Sequence, residues 1–106
     1  KRIEHRVAGA EANPYLVLSA ILSGIHYGLI NKISPTKFRI DNACTDPDPK
    51  MPKSIEKAIQ LFEESKLCID YYSKEYVTMY SDLKRKEIES FRSEISDIEY
   101  KWYLNL

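Results

Sequence analysis

From Pro14 to Ile30 no side chain carries a charge, and Leu16, Leu18, Ile21, Leu22, Ile25, Leu29 and Ile30 are spread over every face a helix would have. A helix that is apolar all round has no solvated side, so it is expected to be buried. Its start is marked by Asn13-Pro14: the Asn side chain accepts from the first free amides, and Pro loses nothing at the first helical position. The helix should run to about Asn31. The apolar stretch is short for a membrane span, and Ser19, Ser23, Gly24, His26 and Gly28 interrupt it, so protein rather than lipid is the expected surrounding. His26 has no companion at metal-ligand spacing and reads as a core or boundary histidine.

That need for burial falls on a small chain. With 106 residues there is material for one domain, whose core is marginal at this size. The 16 Lys+Arg residues balance 16 Asp+Glu, giving a formal net charge of +0, which argues against a general nucleic-acid or anionic-membrane binder. Two cysteines, Cys44 and Cys68, are too few for a disulfide framework, and no leader pattern opens the chain, so inert thiols and a cytoplasmic location are expected. The first residue is Lys1 rather than Met, and it leads straight into a patterned segment, which reads as a piece of something longer.

That segment alternates strictly. Arg2, Glu4 and Arg6 fall on one side and Ile3, His5 and Val7 on the other, the two-residue period of a strand. A strand needs a partner for its backbone groups, and no other stretch here has comparable quality. The partner is expected upstream of Lys1.

Ser34 to Pro52 holds Pro35, Pro47, Pro49 and Pro52 among Asp41, Asn42, Asp46 and Asp48, and is expected to be a loop. Asp46 and Asp48 lack the rhythm and closing Glu of a calcium loop. Beyond it, Ser54 caps a helix with the stripe Ile55, Ala58, Ile59 and Phe62, and Leu67, Ile69 and Tyr72 mark a short second piece. A longer helix follows, with Tyr76, Tyr80, Leu83, Ile88, Phe91 and Ile95 on its expected buried side and Lys84, Arg85, Lys86, Glu87 and Glu89 solvated. Ser96-Asp-Ile-Glu99 is a capping box, flanked by Ile95 and Tyr100 as a hydrophobic staple. It starts a last short helix carrying Tyr100, Trp102, Tyr103 and Leu104, a large apolar load for a terminus unless it docks. The expected class is mainly α, with one N-terminal strand followed by about four helices.

Chemically useful groups concentrate in Arg2-Ile3-Glu4-His5-Arg6. A strand places the Glu4 carboxylate between two guanidinium groups on one face; Glu4 could serve as a hard oxygen ligand, and the Arg forks match phosphate or carboxylate oxygens. Spacing alone leaves open a second reading, a row of cross-strand salt bridges on an exposed sheet face.

The wider stretch from Arg2 through Val7-Ala8-Gly9-Ala10-Glu11-Ala12-Asn13-Pro14-Tyr15 to Leu16 closely resembles the signature near the carboxyl end of the glutamine synthetase family. The resemblance continues through the apolar helix to Asn31-Lys32, resumes at Met51-Pro52-Lys53-Ser54 and reaches the aromatic C-terminus. The wording around Val7-Ala8-Gly9-Ala10 is most similar to the γ-glutamyl-polyamine (γ-glutamylputrescine) synthetase branch, with Glu11 where Asp is usual. It implies that residues 1–106 are the C-terminal segment of an α+β glutamine synthetase-like catalytic domain, incomplete by itself. The activity implied is an ATP-dependent ligase that phosphorylates the glutamate side chain and lets an amine, ammonia or a polyamine, displace phosphate. By resemblance Glu4 matches a ligand of Mg2+ or Mn2+, Arg2 an Arg near the nucleotide phosphates, and Arg6 the catalytic Arg that holds glutamate or its acyl phosphate. A homo-oligomer is also implied. The remaining metal ligands, the nucleotide pocket and the amine site are expected upstream, which would leave the fragment inert on its own. The rival expectations are a stand-alone helical interaction or oligomerisation module and a catalytically degenerate family member.

Overall fold

The computed structural model describes residues 2–38, 40, 42, 45 and 48–104. Five helices occur among them: α1 (Pro14–Ile30), α2 (Ile55–Glu64), α3 (Lys66–Tyr72), α4 (Lys74–Ser93) and α5 (Asp97–Tyr103). The chain divides into two compact units, Lys1–Ala43 and Cys44–Leu106. Cys44, Asp41, Asp46 and Pro47, named in the sequence reading, lie outside the described residues.

In the first unit α1 begins as expected. Asn13 Oδ1 accepts from the Tyr15 and Leu16 amides at 3.0 and 3.3 Å, and Pro14 opens the helix. It ends in a Schellman turn: the Ile33 amide donates to Gly28 O (3.0 Å) and the Lys32 amide to Leu29 O (3.2 Å), with Lys32 at φ 50 where glycine is usual. The expected burial of α1 is corrected. Leu18, Leu22, Leu29 and Ile30 are all exposed, Leu29 to 73%, and Ser23 is the helix's one buried residue. The physical reason is that this unit holds no second helix among its described residues, so nothing in it can cover the sides of α1. No helix of the described residues is long and apolar enough to cross a membrane.

The expected N-terminal strand is not formed among the described residues. Arg2–Val7 has no strand assignment, and Ile3 and Val7 are exposed. A ladder needs a second strand to bond to, and the described residues contain none.

The second unit is where helices pack. Each of its four helices starts on a serine: the Ser54, Ser65, Ser73 and Ser96 hydroxyls accept from the Lys57, Cys68, Tyr76 and Glu99 amides, each cap contributing about 1 kcal/mol. At Ser96 the box is complete, with Glu99 Oε2 accepting from the Ser96 amide at 2.7 Å. Helices α2, α3 and α4 pack on one another around Ile59, Val77 and Ser81, all buried. Phe62 meets Tyr80 edge-on at 5.8 Å, and Tyr72, Tyr76 and Tyr80 form a row along α3 and α4 with centroids 5.8 and 5.9 Å apart. Burial, then the neighbouring Tyr80 and Tyr72, push the Tyr76 phenol above its ordinary pKa.

The inward face of α4 agrees with the expected one at Tyr76, Tyr80 and Ile88, which are half-buried, and differs elsewhere. Val77, Ser81 and Lys84 join Ile88 in its central stripe, beside Tyr76 and Tyr80, whereas Leu83, Phe91 and Ile95 are exposed. Leu83 is rotated about 120° from that stripe, Phe91 sits in the last turn of α4, and Ile95 lies past the helix end. Lys84, expected in solvent, is part of the stripe: its stem is half-buried, and its ammonium lies 5.4 Å from the Tyr80 ring centroid and 2.7 Å from Glu87. Helix α5 forms its box but has no extended packing against α2–α4, leaving Trp102 and Tyr103 exposed.

Candidate functional site

The site residues named from the sequence are all described, and two contacts join them. Arg6 Nε donates to Glu4 Oε1 at 2.6 Å, and an Arg2 terminal guanidinium nitrogen lies 3.7 Å from Glu4 Oε2. These contacts bring Arg2, Glu4 and Arg6 together without a ladder. It is solvent-facing: the Arg2 and Arg6 side chains are 88% and 85% exposed, and that of Glu4 is 50%. Ion pairs this exposed contribute little to stability, so the row has no evident folding role.

A short turn links the row to the start of α1. After Val7 the chain turns, with the Ala12 amide donating to Gly9 O at 3.2 Å, and then enters the Asn13 cap. A Cβ on Gly9 would lie 3.2 Å from Glu11 Oε2, the far end of an exposed side chain that can swing aside, and Gly9 does not sit at positive φ, so the turn does not demand glycine there. His5 is exposed.

Chemically, the row offers one carboxylate between two forked cations. The forks suit phosphate or carboxylate oxygens, and the carboxylate suits a hard cation. No cluster of three or more His, Cys, Asp or Glu side chains exists among the described residues, so Glu4 has the donor chemistry for one bond to a divalent metal, not a cage. Cys68 is half-buried and not in a disulfide.

In the second unit, sequence reasoning missed two cross-helix ion pairs, Arg85–Glu63 and Arg92–Glu56. A signal was present: Glu56 and Glu63 are about two turns apart on α2, as Arg85 and Arg92 are on α4, the spacing expected of rungs between antiparallel helices.

Residues 1–103 match the family model described as glutamine synthetase, catalytic domain. The chain belongs to that family. Among curated relatives it is 36% identical to the glutamate–isopropylamine ligase of a Pseudomonas species, over 99% of this chain and 24% of that protein. It is 33% identical to gamma-glutamylputrescine synthetase PuuA of Escherichia coli K12, over 97% of this chain and 22% of the relative. A glutamine synthetase of Aquifex aeolicus is 30% identical over 100% of this chain and 24% of its own length. The chain thus spans less than a quarter of the length of these relatives. No solved structure matches it.

Proposed function

We propose that this chain supplies the arginine–glutamate–arginine face of an ATP-dependent glutamate–amine ligase, with the amine an alkylamine or polyamine. The observation that carries the reading is the Arg2–Glu4–Arg6 row, joined side chain to side chain, inside a segment that belongs to the glutamine synthetase catalytic-domain family. The amine class rests on the names of two relatives above 30% identity, which act on isopropylamine and putrescine.

In the proposed reaction the γ-carboxylate of glutamate attacks the terminal phosphorus of ATP, ADP leaves, and the amine displaces phosphate to form a γ-glutamyl amide. Catalysis of phosphoryl transfer is mainly positioning and charge neutralisation. Arg6 would hold the glutamate carboxylate and its acyl phosphate in its fork, and Arg2 would pair with nucleotide phosphate oxygens. Glu4 would be one oxygen ligand of a bound Mg2+ or Mn2+, which neutralises phosphate charge. The other ligands would come from the part of the ligase this chain does not span. There, Arg2–Val7 would add as a strand to a sheet, satisfying the backbone groups left open here. Residues 1–106 would be the C-terminal segment of a catalytic domain in a cytoplasmic homo-oligomer, with α5 and its exposed Trp102, Tyr103 and Leu104 docking on a neighbouring subunit.

The test is kinetic, in the ligase that carries this segment. Arg6→Ala should lower kcat by about 100-fold, since one transition-state charge contact is worth on the order of 3 kcal/mol. His5→Ala, on the opposite side of the segment, should lose far less. Equal losses in two variants that keep wild-type circular dichroism would reject the assignment of the arginine face.

A further inference from the structure

We draw no further inference here: the strongest candidate, the exposed apolar face of α1 running past Gly24 and Gly28, carries nothing because no residue of the structure shows what covers it.

Discussion

Arg85 on α4 holds Glu63 on α2 with both arms of its guanidinium group, Nη1 to Oε1 at 2.8 Å and Nη2 to Oε2 at 2.5 Å. About two turns away Arg92 binds Glu56 across the same pair of helices. Two rungs at matched spacing set the register of α2 against α4 while the apolar side chains between them supply the attraction. The Arg85 hydrogen bonds are the first cause that holds the Glu63 carboxyl below the usual carboxylate range. For Glu56 the first cause is its own backbone amide at the start of α2, then the Ser54 hydroxyl, with Arg92 adding to them.

Both shifts are depressions, so the stability they contribute is fully present above the ordinary Glu pKa of 4.5 and is lost as pH falls through the lower folded values. The melting temperature of the 106-residue chain should therefore hold steady near neutrality and drop below pH 4.5. Glu63→Gln should melt slightly lower than the parent at pH 7, and the gap should close in acid. A gap that widens on acidification would contradict the pairing.

Ser73 joins α3 to α4 at φ 70 and ψ 155, backbone space that belongs almost entirely to glycine. Its hydroxyl recovers part of the cost by capping the Tyr76 amide, at a long 3.4 Å. Glycine at an N-cap gives up only a few tenths of a kcal/mol while relieving strain of about 1 kcal/mol or more. Ser73→Gly should thus raise unfolding stability in urea by roughly 0.5–1 kcal/mol, and Ser73→Val should lower it. Loss of stability in the glycine variant would show that the cap outweighs the strain.

One carboxylate without a cage predicts weak metal binding. The 106-residue chain should not hydrolyse ATP, and calorimetry should find no submillimolar affinity for Mg2+. Tight binding that disappears in Glu4→Ala would mean that the chain completes a metal site by itself.

The exposed terminal aromatics supply a test of assembly. Trp102, Tyr103 and Leu104 could bury a few hundred Å2, worth several kcal/mol at ~25 cal/mol per Å2 before ordering costs. Cutting the ligase after Glu99 should release smaller, still folded species by light scattering. An unchanged mass with a lower melting temperature would place α5 against its own subunit instead.

What could be read from the residues alone was local. Asn13-Pro14, Ser54 and the Ser96–Glu99 box announce helix starts because a cap satisfies amides within the next three residues, and each is found where the spacing predicts it. The arginine–glutamate–arginine face was equally legible, since side chains two apart on an extended chain share a side whatever else is present. Burial was not local. An apolar α1 implies a cover, yet its exposed faces here depend on what neighbours the fold brings, and composition cannot supply them. The strand was not local either, because Arg2–Val7 has the right alternation but strand structure is a property of two segments, and the described residues hold only one. On α4, the pattern places Tyr76, Tyr80 and Ile88 on the packed side as found, but it also puts Leu83 and Phe91 in the core and Lys84 in solvent, where packing brings in Val77, Ser81 and Lys84 instead. Helix periodicity defines which residues share a stripe, but which stripe is buried is decided by the helix lying against it, through contacts between residues such as Glu63 and Arg85, far apart in the chain.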